Sequence, residues 1–247
     1  MDKQLLEEFK KALITQKKIV IIPHKNPDGD ALGSSLALQA FLTKTGHNSQ
    51  IISPNEYPEF LDWMPGQKKI KKFSDALDES IQTIETADII LTLDFNQLSR
   101  IDQLGPFVEK SNALKIMIDH HEHPGDYASI TFSDSTKGST CEMVYELISH
   151  LDSDQIDEAI ASCLYTGIMT DTGSFRFPST TARTHQVVSK LIENGAQPHL
   201  INQKIYDTNS INRLRLLGTA LKNLKKIEST PVVYITLSQE ELNQNKF

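Results

Sequence analysis

The chain has 247 residues and a formal net charge of −7, from 32 acidic and 25 basic side chains. This length is enough for one large domain, or for two smaller ones, with a sizeable core. The acidic balance argues against a broad basic surface for long nucleic acids. It leaves room for a small anionic ligand at a local positive site, which bound metal ions can supply.

Cysteine content and the N-terminus bear on the cellular compartment. Cys141 and Cys163 lie far from any CxxC spacing, which fits a reducing compartment and no disulfide framework. No apolar run approaches the roughly 18 residues that a membrane span needs. The N-terminal sequence Met-Asp-Lys-Gln is not that of a signal peptide. We therefore expect a cytoplasmic protein that has no membrane partner.

Hydrophobic periodicity predicts strands that alternate with helices along most of the chain. In chain order these are a helix (3–16), a strand (19–22), a helix (31–45), a strand (50–53), an irregular segment (54–74), two strands (88–93 and 114–118) and five helices (139–151, 156–170, 182–194, 198–207 and 211–227). This alternation indicates an α/β fold, with an open, mostly parallel twisted sheet and helices on both faces.

The C-terminal elements predict a second domain. Residues 232–237 predict a strand, and the following Ser238-Gln-Glu-Glu is a capping-box pattern that begins another helix. A strand and half a helix are too few elements for a domain. We therefore expect a main domain at residues 1–209, a linker helix at 210–228, and the beginning of a truncated C-terminal domain at 229–247.

The turn after the first predicted strand concentrates polar and ionisable side chains: His24, Asn26, Asp28 and Asp30. A single glycine separates the two aspartates, so in a tight turn they can point to opposite sides and serve two metal ions. The structural alternative makes Asp30 a helix N-cap and Asp28 a turn former. That alternative does not account for His24 and Asn26 at the end of the same buried strand.

The next two apolar strands also end in ionisable residues, one in Asp94 and the other in Asp119, His120 and His121. Ligands of open α/β sheets bind outside the carboxyl ends of the strands, so these side chains should share one edge. Asp171 follows a very apolar helix and is either a buried hydrogen-bonded residue or a ligand. Beside this group of side chains we favour the ligand, and the whole pattern predicts a metal site.

These motifs resemble the DHH phosphoesterase superfamily over residues 19 to about 237. They are, in chain order, His24-x-Asn26-Pro27-Asp28-Gly29-Asp30, Asp94, Asp119-His120-His121 and Asp171-Thr172-Gly173. Three segments are similar to its branch of nanoRNases and 3′-phosphoadenosine-5′-phosphate (pAp) phosphatases, namely Leu93-Asp94-Phe95 with Arg100, Ser139-Thr140 with Glu142, and Thr172 to Phe177. The resemblance implies a catalytic α/β domain, an exposed linker helix and a smaller substrate domain with a glycine-rich motif. No glycine follows Gly218 in this chain.

The resemblance further implies two metal sites that share one aspartate. One is formed by His24, Asp28 and Asp94, and the other by Asp30, Asp94, His120 and Asp171. Imidazole and carboxylate ligands suit two Mn²⁺ ions, with Mg²⁺ or Co²⁺ as alternatives. In the implied mechanism a water between the ions loses its proton, and the metal-bound hydroxide attacks phosphorus in line. The ions also neutralise the charge that develops on the phosphoryl oxygens.

The remaining site predictions concern catalysis and substrate binding. His121 diverges from its neighbour His120 on an extended segment, so we assign His121 to the phosphate as a donor. Asp119 is expected to orient a ligand histidine. Arg100 and Arg176 are expected to clamp phosphate, because a guanidinium fork matches its geometry. The predicted catalytic residues are thus His121, Asp119 and Arg100, and the predicted substrate contacts are Asn26, His121, Arg100, Ser139 and Arg176.

The expected activity is Mn²⁺-dependent hydrolysis of short oligoribonucleotides and of the 3′-phosphate of pAp. Three alternatives stay open at this point. They are an enzyme that cleaves pApA or cyclic dinucleotides, an inorganic pyrophosphatase or exopolyphosphatase, and a non-catalytic module that binds metal or nucleotide. The expected partners are short RNA or small nucleotides, and a homodimer is one option for the assembly.

Overall fold

The computed structural model describes residues 2–246. Its main sheet is built from β1 (Lys18–Pro23), β2 (Asn48–Ser53), β3 (Lys71–Lys72), β4 (Ile89–Leu93), β5 (Leu114–Asp119) and β6 (Ile130–Ser133). The strand order is β3-β2-β1-β4-β5-β6, and every neighbouring pair is parallel. The order reverses direction between β1 and β4. A crevice opens at the carboxyl ends of the strands at such a switch point.

Helices cover both faces of this sheet, which confirms the predicted α/β fold. The helices of residues 3–206 are, in chain order, α1 (Lys3–Ala12), α2 (Gly29–Lys44), α3 (Leu77–Glu85), α4 (Gly105–Lys110), α5 (Thr140–Asp152), α6 (Glu158–Asp171), α7 (Ala182–Glu193) and α8 (Pro198–Tyr206). Val20 and Ile90 of the sheet share one buried cluster with Ile84 of α3 and Val108 of α4. On the opposite face α2 packs against β1, α5 and α6.

The strand β1 shows why its sequence is continuously apolar. Successive strand side chains point to opposite faces, so Val20 and Ile22 enter the cluster with α3 and α4, whereas Ile19 and Ile21 face α2. All four are at most 1% exposed. A strand that is covered on both faces has no solvent side, and polar alternation is therefore absent from it.

Two glycines bring α2 and α6 unusually close together. A Cβ on Gly33 would lie 2.5 Å from the carbonyl oxygen of Cys163, and a Cβ on Gly167 would lie 3.0 Å from the Cα of Asp30. Only a residue without a Cβ permits this approach of the two backbones. As a result, the first turn of α2 lies beside the last turn of α6, which places Asp30 close to Asp171.

Several local predictions are corrected by the structure. The first helix stops at Ala12 rather than residue 16, because Leu13 and Ile14 turn their N–H groups back to the carbonyls of Lys10 and Lys11. The short elements β3, β6, α3 and α4 were not predicted. Each has nine residues or fewer, which gives periodicity few repeats to register. None of the described helices has both the length and the apolar character that a bilayer crossing requires.

The chain separates into two compact units, Met1–Ile201 and Asn202–Phe247. The second contains α9 (Ile211–Lys222), an antiparallel pair formed by β7 (Lys225–Lys226) and β8 (Val233–Tyr234), and α10 (Gln239–Gln244). The helix predicted to reach residue 227 stops at Lys222, and only two residues of the strand predicted at 232–237 are paired. The predicted domain boundaries near residues 209 and 228 stay predictions.

Candidate metal centre

His24 follows β1 directly, and its ring is buried at the switch point of the sheet. Its Nδ1 lies 2.7 Å from the carbonyl oxygen of Lys25, so Nδ1 carries the proton and Nε2 is left for a ligand. Nε2 lies 3.5 Å from Oδ2 of Asp94 and 3.9 Å from Oδ2 of Asp28. Burial lowers the pKa of His24, but the hydrogen bond and charge of Asp94 outweigh it and raise the pKa above its usual value.

Asp28 combines a structural and a potential ligand function. Its Oδ1 accepts the N–H groups of Asp30 and Ala31 at 2.9 and 3.0 Å, and this caps α2. Its Oδ2 remains directed toward His24, and its side chain is 58% exposed. The structural alternative had assigned the cap to Asp30 and is therefore wrong on this point. Capping uses one oxygen of Asp28 and leaves the other for an ion.

Asp94 lies between two histidines. It follows β4 with a left-handed backbone (φ 66°) and is 2% exposed. Its Oδ2 lies 3.5 Å from Nε2 of His24, and its Oδ1 lies 3.5 Å from Nε2 of His120. Burial alone would raise the pKa of Asp94, but the hydrogen bond from His24 and the nearby imidazoles lower it. Asp94 is therefore an ionised carboxylate that presents one oxygen to each side.

A second set of side chains surrounds Nε2 of His120. Asp171 Oδ2 lies 3.4 Å from this nitrogen and Asp30 Oδ2 lies 4.0 Å from it. The Nδ1 of His120 faces the carbonyl oxygen of Lys137 at 3.3 Å, which leaves Nε2 directed into the site. We call Asp30, His120 and Asp171 the inner ligand group, and His24 with Asp28 the outer ligand group. Asp94 is shared by both.

The inner ligand group places the carboxyl groups of Asp30 and Asp171 close to that of Asp94. Burial, followed by the charge of Asp94, raises the pKa of Asp30 well above its usual value. Burial also raises the pKa of Asp171 to about 6, against the opposing effect of His120. Both shifts arise because carboxylates are crowded where water cannot solvate them. A bound cation would relieve this repulsion.

The donor set fits divalent metal ions. In three sets of residues the ligand atoms lie within 4.8 Å of one another: His24, Asp28 and Asp94; Asp30, His120 and Asp171; and Asp94, His120 and His121. Imidazole nitrogen combined with carboxylate oxygen suits Mn²⁺ and similar ions. The structure thus brings together all six residues that were predicted as metal ligands.

The closest partner of His121 is a carboxylate outside both ligand groups. Its Nδ1 bonds Oδ1 of Asp119 at 2.7 Å, and its side chain is 40% exposed. The hydrogen bond to Asp119 raises the pKa of His121. Asp119 was expected to orient the ligand histidine, which by prediction is His120. It orients His121 instead, because it is the carbonyl of Lys137 that meets His120.

The predicted substrate contacts differ in exposure and in the partners that they already have. Arg100 is exposed, its carbonyl oxygen accepts the N–H of Lys25 at 2.8 Å, and its positive charge acts to lower the pKa of His121. Arg176 is exposed too, but its Nε donates to the carbonyl oxygen of Gly173 at 2.6 Å. Ser139 is fully buried and caps α5 by accepting the N–H of Glu142. Contact of these side chains with a substrate stays a prediction.

Sequence reasoning missed three residues that support the site. Asn55 accepts the N–H of Asn26 at 2.7 Å and donates its amide to the Asn26 side chain, which holds Asn26 in a left-handed conformation. Lys137 supplies the carbonyl that faces His120. Thr140 donates its hydroxyl to Oδ1 of Asp94 at 2.8 Å. A signal existed for Asn55, which follows the end of a predicted strand at the same sheet edge as the ligands.

Comparisons with known proteins agree on one family. Residues 18–168 match the model described as the DHH family, N-terminal domain. A relative from Thermus thermophilus, named bifunctional oligoribonuclease and PAP phosphatase NrnA, is 33% identical over 194 residues, which cover 78% of this chain and 55% of the relative. The Bacillus subtilis protein of the same name is 30% identical over 217 residues, which cover 85% of this chain and 64% of the relative.

A solved structure is also similar over the whole chain. It is described as an exopolyphosphatase-related protein from Bacteroides fragilis, with a TM-score of 0.97 and 39% sequence identity. The match covers 100% of this chain and 73% of that one. This chain thus spans between about half and three quarters of the length of these three proteins.

Proposed function

We propose a function that starts from one fact: this chain belongs to the DHH family. The proposed activity is metal-dependent hydrolysis of phosphate esters, with short oligoribonucleotides and the 3′-phosphate of pAp as substrates. The names of the relatives from Thermus thermophilus and Bacillus subtilis support this choice of substrates. Two Mn²⁺ ions are the proposed cofactors, with Mg²⁺ or Co²⁺ as substitutes. The cytoplasmic location and a homodimeric state stay predictions.

One observation carries the proposal. The two oxygens of Asp94 face two different histidines, each at 3.5 Å; His24 has one further carboxylate on its side, and His120 has two. A carboxylate that only stabilises the fold needs no such symmetric surroundings. A carboxylate shared by two ions does, because each ion requires its own imidazole and its own additional oxygens.

The protein groups around this centre have distinct proposed functions. His24, Asp28 and Asp94 would hold one ion, and the inner ligand group with Asp94 would hold the other. When bound, the ions would supply Lewis-acid activation of water and neutralise charge on the phosphoryl group. His121, kept in orientation by Asp119, is placed to donate a proton or a hydrogen bond to a phosphate oxygen. Arg100, on the loop after β4, would supply a second positive contact.

We further propose that residues 229–247 belong to a substrate-binding domain. Within this segment, several large apolar side chains are about half exposed, among them Val232 at 49% and Val233 at 56%. Exposed apolar residues of this density are typical of surfaces that meet another part of a protein or a ligand. Recognition of base and sugar is therefore assigned to this region, and the metal chemistry to residues 24–171.

The test is a substrate panel at fixed enzyme concentration. The panel contains pAp, di- to pentaribonucleotides, a long single-stranded RNA, pApA, a cyclic dinucleotide and an activated phosphodiester reporter. Each is assayed with Mn²⁺, Mg²⁺ or Co²⁺ and after chelation with EDTA. We expect hydrolysis of the reporter, of pAp and of the short oligoribonucleotides with Mn²⁺, and none after chelation.

Two outcomes would contradict the proposal. Binding of two ions without hydrolysis of any substrate would favour the non-catalytic module. Hydrolysis that survives complete chelation would exclude a metal-dependent reaction. Preferential cleavage of pApA or of the cyclic dinucleotide would keep the phosphoesterase and replace its substrate.

A second candidate function is hydrolysis of short polyphosphates or pyrophosphate. It is favoured by the similarity to the structure described as exopolyphosphatase-related. Adding pyrophosphate and tripolyphosphate to the same panel, with detection of released phosphate, separates the two candidates. A higher kcat/KM for either compound than for pAp would select this second function.

A further inference from the structure

The start of α5 contacts two of the candidate metal ligands. The N–H groups of Thr140 and Cys141 donate to Oδ2 and Oδ1 of Asp30 at 2.6 and 2.9 Å. The hydroxyl of Thr140 donates to Oδ1 of Asp94 at 2.8 Å. Thr140, Cys141 and Asp30 are at most 1% exposed, so these bonds are shielded from water. One residue, Thr140, therefore holds two carboxylates that would otherwise repel each other.

These contacts are directed to one side of the centre. The Asp94 oxygen that accepts the Thr140 hydroxyl is the one that lies 3.5 Å from His120. The Asp30 oxygen that accepts the Thr140 N–H is the one that lies 4.0 Å from the same imidazole. Among the hydrogen bonds of residues 2–246, none joins Thr140 to His24 or Asp28. Thr140 thus acts on the inner ligand group and on the shared carboxylate only.

The hydroxyl of Thr140 is not needed to begin the helix. Ser139 is the N-cap of α5, and its side chain accepts the N–H of Glu142 at 3.1 Å. An ionised carboxylate can only accept hydrogen bonds, so the Thr140 hydroxyl must be the donor to Asp94. A carboxylate has about four lone-pair positions, and one of them is used here. The remaining positions are free for ions.

We propose that Thr140 is a positioning residue for the inner ligand group. It fixes the rotation of the Asp94 carboxylate so that one oxygen stays with His120 while the other faces His24. The terminal torsion of an aspartate is broad, so without this donor the carboxylate samples orientations that no longer present an oxygen to the inner side. The inference rests on the proposed metal site, and it predicts that loss of the hydroxyl weakens binding of the inner ion, whose Asp94 oxygen accepts this bond, more than binding of the outer ion.

The experiment measures Mn²⁺ binding to the metal-free protein by isothermal titration calorimetry. Thr140→Val removes the hydroxyl at nearly constant volume. We expect two ions to bind the wild type, and one of them to bind the variant about 10–100-fold more weakly, which is typical for loss of a group that supports a ligand. Thr140→Ser keeps the donor and should restore wild-type binding. Thr140→Ala removes the hydroxyl with a smaller side chain and should reproduce the selective loss.

The matched control is Thr166→Val. Thr166 is fully buried in α6, and its hydroxyl donates to the carbonyl oxygen of Ser162 at 2.7 Å. This control removes the same group from a helix of the same unit without removing a bond to any candidate ligand. We expect both ions to bind it as they bind the wild type. The decrease in melting temperature that the two valine variants share reports the general cost of losing a buried hydroxyl.

Double variants identify the ion that is affected. In a His120→Ala background the inner ion is already lost, so Thr140→Val should have little further effect. In an Asp28→Asn background Thr140→Val should still weaken the remaining ion. Wild-type affinity of both ions in Thr140→Val would overturn the inference, as would equal weakening of both. Absence of Mn²⁺ binding by the wild type would instead refute the metal site itself, and the inference with it.

Discussion

The outer and inner ligand groups hold carboxylates in different surroundings. In the outer ligand group the side chain of Asp28 is 58% exposed, and its only other polar function is to cap α2. In the inner ligand group Asp30 is 1% exposed, and both its oxygens accept backbone N–H groups from the start of α5. Asp94 alone belongs to both environments.

The two ligand groups differ in what stabilises the negative charge of their carboxylates. Water solvates Asp28, so the outer ligand group stays stable without a cation. The inner carboxylates have raised pKa values because burial and mutual repulsion penalise their charged forms. For Asp30, the N-terminal ends of α2 and α5 and two backbone hydrogen bonds offset part of this penalty. A bound ion would offset more of it for both carboxylates. We therefore expect the inner ion to be held more tightly and to exchange more slowly than the outer one.

The largest effect is expected from Asp94→Asn. The substitution replaces the shared carboxylate with an amide, whose nitrogen is not a metal ligand. The affinity for each ion should fall by more than the roughly 10–100-fold that is typical when a residue that only supports a ligand is lost. Hydrolysis should fall below detection. Elemental analysis and single-point activity assays check this, and two full equivalents of metal in the purified variant would contradict the shared position of Asp94.

The next largest effect separates the two groups. His120→Ala should remove the inner ion and Asp28→Asn should weaken the outer one, each leaving the other ion bound. Asparagine caps helices about as well as aspartate, so Asp28→Asn keeps the start of α2 and changes mainly the charge. Titration with Mn²⁺, together with melting temperatures, checks this. If the outer ion proves the tighter of the two in wild type, the comparison between buried and exposed carboxylates is wrong.

The sequence predicted which ligands lie at the ends of strands. Residues after apolar strands meet at one sheet edge by topology, so His24, Asp94 and His120 could be grouped without coordinates. The sheet and its helices followed from the same alternation. Membership of the family confirmed the resemblance that the motifs carried.

The sequence could not predict the supporting contacts, because these depend on packing between distant segments. Thr140 meets Asp30, which is 110 positions away, because α5 packs against α2; a Cβ on Gly33 of α2 would lie 3.0 Å from the Sγ of the adjacent Cys141. The carbonyl of Lys137, which faces His120, carries no side-chain signal at all. Asp119 was expected to orient the ligand histidine, His120, but it bonds His121. His120 and His121 are neighbours in the chain, so the sequence does not show which imidazole reaches Asp119.

A smaller effect is expected from His121→Ala, which lies outside both groups. Because the Nδ1 of His121 is engaged by Asp119, the variant should keep both ions and the fold. Loss of one charge-stabilising donor lowers kcat by about 10²–10³. The measurement is kcat with metal content determined on the same sample. Loss of an ion in His121→Ala would show that this histidine completes the inner ligand group, as its 3.9 Å distance from Oδ1 of Asp94 permits.

The smallest effects are expected from alanine substitutions of the two arginines, Arg100 and Arg176. Their KM values test whether a substrate bound at the two ligand groups also contacts these side chains. Arg100 is exposed and its charge acts on the pKa of His121, whereas the Nε of Arg176 is engaged by the carbonyl of Gly173. Arg100→Ala should therefore raise KM for pAp by about tenfold, as loss of one charged hydrogen bond of roughly 1.5 kcal/mol would. Arg176→Ala should raise the KM for pAp less than Arg100→Ala does.

Metal content should not change in either arginine variant, because neither side chain contacts a candidate ligand oxygen within the described hydrogen bonds and ion pairs. Lysine at position 100 keeps the charge but not the fork, so Arg100→Lys should recover only part of the affinity. Equal KM values for Arg100→Ala and wild type would remove Arg100 from the substrate contacts and leave His121 as the one positive contact of the site.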